Sequence, residues 1–205
     1  MPPYLGFVAR RLLAQVRRLR RRALPPELTT LLRRTPVKLH LGCGDVHLRD
    51  WINVDVSPNS AADVVMDFRY LGDALPASSV DEVMMIHSLS YLRLWEARDL
   101  LAALNRMLKP GSKFIAEFPD AEKCAMAIAG ASRVVTPYLE AVRGFYAFDM
   151  GQIAARKPYA PYAFGWAAWH LEQELLAAGF VAVRTLHPLT HGSLTWRDSR
   201  VEATK

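Results

Sequence analysis

The stretch Val37-Lys38-Leu39-His40-Leu41-Gly42-Cys43-Gly44-Asp45 constrains this chain more than any other. A short apolar run, opened by Pro36 and closed by two glycines, predicts a buried parallel strand running into a tight turn. Glycine in such a turn permits positive φ and lets a ligand approach the backbone closely. A second strand-like run, Trp51-Ile52-Asn53-Val54-Asp55-Val56, carries an acid near its end. A glycine turn on one strand and a carboxylate at the end of the next is an arrangement that holds a nucleoside, with N–H groups beneath it and the acid on the ribose hydroxyls.

At 205 residues, 51% hydrophobic and 22% charged, the chain suits one globular α/β domain with some decoration. Its two cysteines, Cys43 and Cys124, form neither a disulfide framework nor a metal-binding spacing, which fits a reducing, cytoplasmic compartment. No apolar run is long enough for a membrane-spanning helix. The net charge of +6 is unevenly spread: residues 1–34 hold nine arginines against one acid, Glu27, a balance of +8, so the remainder sums to −2.

That basic segment is an arm, and the domain proper covers 35–205. Within the arm, Leu5, Val8, Leu12, Val16 and Leu19 recur at three- and four-residue steps, predicting an amphipathic helix over 4–23 that Pro25-Pro26 stops. Three roles fit it: packing on the domain or another subunit, contact with an anionic membrane surface at the inner membrane face, or a cleaved targeting peptide. The interleaved residues are aliphatic, whereas base stacking needs aromatics, which argues against nucleic acid.

From residue 37 the pattern alternates between strand and helix. Strands are predicted at 37–41, 51–56, 62–68, 80–87, 113–118, 181–184 and 200–204. Helices are predicted at 95–108, ended by Lys109-Pro110-Gly111-Ser112, and at 167–178, ended by Gly179. The crossover between the first two strands is about ten residues, near the minimum for a parallel connection, so its helix must be short or irregular. Residues 121–165 break the rhythm with helices near 121–130 and 136–145 and an aromatic loop containing Tyr146, Phe148, Tyr159, Tyr162 and Phe164. An insertion of this size after a strand of a parallel sheet suits a lid or substrate wall.

These segments together resemble a class I S-adenosyl-L-methionine-dependent methyltransferase, and more narrowly the small bacterial group associated with polysaccharide and glycan biosynthesis genes. The matching stretches are Leu39-His40-Leu41-Gly42-Cys43-Gly44, Trp51-Ile52-Asn53-Val54-Asp55, Asp63-Val64-Val65-Met66-Asp67, Ser79-Val80-Asp81-Glu82-Val83, Leu108-Lys109-Pro110-Gly111 and Leu176-Ala177-Ala178-Gly179-Phe180, in the family's order. The resemblance implies a Rossmann-like, seven-stranded, mostly parallel sheet with an antiparallel last strand. It also implies cofactor contacts from His40, Leu41, Gly42, Cys43, Gly44, Asp55, Val56, Asp67, Phe68 and His87: Gly42 and Gly44 under the methionine and ribose, Asp55 on the ribose hydroxyls, Asp67 and Phe68 near the adenine, and His87 near the methyl donor. The chain departs from the family pattern at His40, where an acid is usual, at Val46, where a third glycine is common, at the short crossover, and at Ser90-Tyr91, where Glu-His is usual.

Methyl transfer from a sulfonium needs chiefly an aligned nucleophile and removal of its proton. His87 suits a general base by position and titration range, or it shapes the cofactor pocket. Asp120, after Pro119, suits either a base or substrate ligand, or a helix cap. Cys43 fits a tight turn better than a nucleophile's role, and Pro188 and Gly192 deny His187 and His191 the helix that a paired metal site would use. The acceptor expected is a small molecule or glycan, methylated at oxygen, because Glu117-Phe118-Pro119-Asp120 stands where amide- and base-directed relatives carry an Asn-Pro-Pro-Tyr loop. Two other readings stay open: a non-catalytic cofactor-binding member with an assembly role, and a nicotinamide-dependent oxidoreductase, which the glycine spacing fits poorly.

Overall fold

The computed structural model of the chain describes residues 25–130, 135–147, 161–190 and 194–205. The predicted basic helix at 4–23 lies outside them. At its expected stop, Pro25-Pro26, a short helix begins, α1 (Pro26–Leu31), whose Leu28 is fully buried in the core.

Seven strands form one sheet: β1 (Lys38–Leu41), β2 (Ile52–Asp55), β3 (Val64–Val65), β4 (Val80–Ile86), β5 (Leu108–Pro119), β6 (Val181–Leu186) and β7 (Asp198–Thr204). Their order is β3-β2-β1-β4-β5-β7-β6, with β3 through β5 parallel and β7 antiparallel to both β5 and β6. This is the sheet that the resemblance implies. Central β1 pairs on both sides, Leu39 lying opposite both Ile52 and Val83. Leu39 and Leu41 are accordingly fully buried, as expected of a strand covered on both faces.

Helix α2 (Leu71–Ala74) follows β3, α3 (Leu94–Met107) joins β4 to β5, and α4 (Ala121–Gly130), α5 (Val135–Tyr146) and α6 (Ala168–Ala177) follow β5. Helix α3 buries Ala97, Leu100, Leu101, Leu104 and Met107 at three- and four-residue steps, the stripe expected of a helix lying on a sheet. Its first turn is closed by Glu96, which accepts the Arg93 N–H at 3.1 Å.

Three local expectations are corrected. The third strand is only two residues long, because the Asp67 carboxylate accepts the Arg69 N–H at 3.0 Å and turns Phe68–Tyr70 into a 3-10 helix. The stretch 109–112 does not separate helix from strand. β5 begins at Leu108 and absorbs Pro110 and Gly111, the latter at φ +79°, in an irregularity opposite Val80–Glu82. The final strand starts at Asp198, two residues before the predicted Arg200.

No helix spans the short β1–β2 crossover. A buried amide organises it instead: Asn53 Oδ1 accepts the Leu48 N–H at 3.0 Å, while Nδ2 donates to the Leu48 and Trp51 carbonyls and to Asp63. Among the described residues, no helix is long and apolar enough to cross a membrane.

Candidate active site

The ends of β1, β2 and β4 meet at the glycine turn. Gly42 leaves β1 at φ +72° and Gly44 follows at +52°, in the left-handed region that side chains disfavour. Their surroundings differ. A methyl group on Gly42 would overlap Ser88 Cβ and lie 2.9 Å from Ser88 Oγ and 3.3 Å from the Phe68 ring, whereas one on Gly44 would meet nothing within 4 Å. Gly42 is therefore where two strand ends close on each other, and Gly44 faces open space. The Ser88 hydroxyl secures the closure by donating to the Leu41 carbonyl at 2.6 Å.

Asp55 stands beside this opening. One carboxylate oxygen accepts the Gly44 N–H at 2.9 Å and the other the Ser57 N–H at 2.8 Å. It thus caps the following turn and holds the glycine loop, and each oxygen retains capacity for a further hydrogen bond. Val56, next along, is 64% exposed and offers apolar surface at the same edge. Asp67 and Phe68 sit differently from one another. Asp67 is gripped by Arg69, which also binds Glu96 at 2.8 Å, while Phe68 is buried beneath Gly42 and forms a floor.

His40 and Leu41 are buried strand residues, so a ligand would meet them only through the backbone. His40 Nδ1 lies 3.0 Å from Asn53 Oδ1 and joins the crossover network. Burial lowers its pKa, favouring the neutral ring. Cys43 is also buried, and burial, with Asp55 nearby, pushes its thiol up to about 11. It is a turn residue rather than a poised nucleophile.

His87 ends β4 at φ +54°, a conformation costing a non-glycine residue about 1–3 kcal/mol. Its N–H donates to the Glu117 carbonyl at 2.7 Å, and its Nε2 lies 2.9 Å from Asp198 Oδ2 although the two residues are 111 positions apart. The antiparallel strand explains the meeting. β7 runs backwards along β5, so its first residue, Asp198, pairs with Pro119 at the far end of β5 and arrives at the edge where the parallel strands end. Arg197 braces the carboxylate through Nε at 2.7 Å. Burial alone would raise the Asp198 pKa; His87 and Arg197 more than offset this and hold it low. Sequence reasoning missed Asp198 and Arg197, although an antiparallel last strand signalled that its first residues would reach this edge.

Asp120 is 3% exposed and its carboxylate is engaged on both sides. It accepts the Glu122 N–H at 3.0 Å as cap of α4, the Ala168 N–H at 3.2 Å and the Ser199 hydroxyl at 2.8 Å. Of its two expected roles, the geometry matches the cap. The described end of the insertion packs on the segment that follows β4: Ala163 and Phe164 N–H groups donate to the Ser90 carbonyl, and Tyr162 meets Tyr91 edge-on, with centroids 4.9 Å apart. Burial raises both phenol pKa values, with Asp55 adding to the effect on Tyr91. Phe148, Tyr159 and His191 lie outside the described residues. Among those described, no group of three or more His, Cys, Asp or Glu side chains is placed to hold a metal ion. A groove of about 430 Å³ lies between α3 and α6, lined by Arg98, Ala102 and Glu174 among others, and includes none of the residues above.

No protein-family model matches the chain, and no curated protein matches its sequence. Solved structures do match in shape. An S-adenosylmethionine-dependent methyltransferase from Archaeoglobus fulgidus superposes with TM-score 0.56 at 16% identity, with all of both chains covered. A protein from Pyrococcus horikoshii gives 0.53 at 16% identity, covering 91% of this chain and 90% of that one. An S-adenosylmethionine-dependent methyltransferase from Methanosarcina mazei gives 0.52 at 15% identity, covering 89% and 98%. Strand order and these likenesses agree: the chain has the Rossmann-like fold of class I methyltransferases.

Proposed function

We propose that this chain is an S-adenosylmethionine-dependent methyltransferase acting at oxygen on a small molecule or a glycan. The observation that carries the reading is the open glycine turn braced by Asp55, on the same sheet edge as the strained His87. A side chain at Gly42 would collide with Ser88 and distort that turn, and the space beside Gly44 suits a ligand lying against the backbone. Gly42 and Gly44 would hold the methionine and ribose, Asp55 the ribose hydroxyls, and Val56 the adenine. Phe68 supports the loop from below. When bound, S-adenosylmethionine would supply an electrophilic methyl group carried on a sulfonium.

This chain's own part is alignment and proton removal. His87 takes the acceptor's hydroxyl proton; because Nε2 is held by Asp198, the proton would pass to Nδ1 and then to solvent. Tyr91 and Tyr162 offer flat surface for a sugar or aromatic acceptor at this edge. Glu117-Phe118-Pro119-Asp120, standing where amide- and base-directed relatives carry an Asn-Pro-Pro-Tyr loop, supports a hydroxyl acceptor over an amide or base nitrogen. Two buried thiols support a cytoplasmic setting, and the arginine-rich pattern of residues 4–23 supports contact with an anionic inner membrane surface.

Calorimetric titration of the full chain with S-adenosylmethionine and, separately, with NAD tests this. Micromolar-range binding of the first alone, lost in Asp55→Ala, is expected. Failure to bind S-adenosylmethionine refutes the proposal, and binding of NAD instead would move the chain to the oxidoreductases.

A further inference from the structure

We infer that Asp198 is the positioning residue of the reaction's base: it fixes the tautomer and orientation of His87, and Arg197 fixes Asp198. The inference rests on the proposed role of His87 as proton acceptor.

The geometry points beyond a structural ion pair. Asp198 is 1% exposed and already has a cationic partner, since Arg197 reaches Oδ1 through Nε at 2.7 Å and Oδ2 through Nη2 at 3.3 Å. Charge balance therefore does not require His87. Yet the carboxylate spends its second oxygen on an imidazole that is 23% exposed at the sheet edge. That imidazole is carried on a backbone conformation a non-glycine residue adopts only at a cost. A carboxylate behind a histidine, itself locked from behind, is how an imidazole is held in one tautomer with its other nitrogen aimed at a substrate.

The support continues outward. Arg197 lies 3.5 Å from Glu140 on α5, and Lys123 of α4 donates to the Asp198 carbonyl at 2.7 Å. Among the described residues, Cys124 and Tyr162 also lie within electrostatic reach of Asp198 and Arg197. Helices α4 and α5 thus help to set the base's partner.

The direction of the hydrogen bonds makes the inference specific. Arg197 only donates, so Asp198 must present acceptors to it, and the ionised carboxylate also accepts the His87 Nε2–H. In Asp198→Asn the amide oxygen stays with Arg197, the stronger donor, and the amide N–H₂ turns toward His87. That donor forces Nε2 to become the acceptor and puts the ring proton on Nδ1, the atom that must take the substrate proton.

The experiment uses the full chain as wild type, Asp198→Asn and His87→Gln. Long-range ¹H–¹⁵N spectra near neutral pH report the tautomer of each histidine, and His87→Gln identifies the relevant signal. Wild type is expected to carry its ring proton on Nε2, and Asp198→Asn to carry it on Nδ1. A wild-type proton on Nδ1 overturns the inference even if the variant fails to fold, and so does an unchanged tautomer in a folded variant. Titration with S-adenosylmethionine separates the two readings. Affinity within about threefold of wild type is expected in Asp198→Asn, because the glycine turn is untouched. A wild type that binds no S-adenosylmethionine refutes the methyltransferase reading and leaves the tautomer result standing. On any sugar or phenol the wild type methylates, Asp198→Asn should lose roughly ten- to a thousandfold in kcat with little change in KM; an equal kcat overturns the inference.

Discussion

Replacing Gly42 by alanine asks whether the glycine turn is shaped by backbone conformation or by the closeness of its neighbours. At φ +72° an L-residue loses about 1–2 kcal/mol relative to glycine from conformation alone. The added methyl would also overlap Ser88 Cβ and press on Phe68, and overpacking of this kind costs about 1–3 kcal/mol. Gly42→Ala should therefore destabilise the chain by about 2–5 kcal/mol. For a domain of this size that lowers Tm by about 4–20 °C. Gly44→Ala is the built-in control. It shares the positive φ, at +52°, but its methyl would meet nothing within 4 Å, so only the conformational part, about 1–2 kcal/mol, should appear. Urea unfolding of both variants measures the difference, which isolates the Ser88 overlap. Equal losses would refute the reasoning, because they would mean that the ends of β1 and β4 yield to a methyl group without resistance.

Three further outcomes can be checked together. Burial would raise the Glu117 pKa, but the Leu189 N–H, Arg200 and the Thr190 N–H hold it low. The stability from this group is therefore present above the ordinary carboxylate range and lost as pH falls through the depressed value. Glu117→Gln should cost about 2–4 kcal/mol at neutral pH, less than a fully isolated pair because Arg200 keeps Glu202, and the gap to wild type should shrink in acid; a gap independent of pH in urea unfolding contradicts this. Asn53→Leu should cost about 3 kcal/mol in the same assay, because the Leu48 backbone, His40 and Asp63 would all lose their shared buried partner. Burial pushes the Cys43 thiol up to about 11 and the Cys124 thiol up to about 12. Both should react slowly with a disulfide reagent until denaturant is added, and rapid labelling of the native chain would contradict their burial.

Much of the glycine-turn side of the candidate site was legible because its signals are local. An apolar run ending in Gly42 and Gly44 and a strand ending in Asp55 each fall within a few consecutive residues, where periodicity and turn chemistry speak directly. The side around His87 and Asp198 was not, because it depends on which strand lies beside which. Asp198 follows Trp196 and Arg197 in a stretch that reads as polar, and nothing local says that two charged residues there are buried. Only the pairing of β7 with β5 does so. The shortened β3 was hidden for a related reason: Ala62 to Phe68 has strand-like composition, but one hydrogen bond donated by the Arg69 backbone N–H to the Asp67 carboxylate turns the chain first. In sequence Asn53 reads simply as one residue of the second strand, whereas its side chain ties down the crossover before that strand.

The pairing of Glu117 with Arg200 has a consequence for how the last strand finds its place. The two residues lie directly opposite each other on β5 and β7 and bond at 2.6 Å, with the Glu117 carboxylate 1% exposed. A strand that slipped by one residue would turn Arg200 to the other face and bury an uncompensated carboxylate. The same slip would carry Asp198 away from His87. The ion pair therefore acts as an alignment key, penalising dockings of β7 other than the one that sets Asp198 level with His87, so that an error in strand register would also be an error in the proposed proton-transfer site.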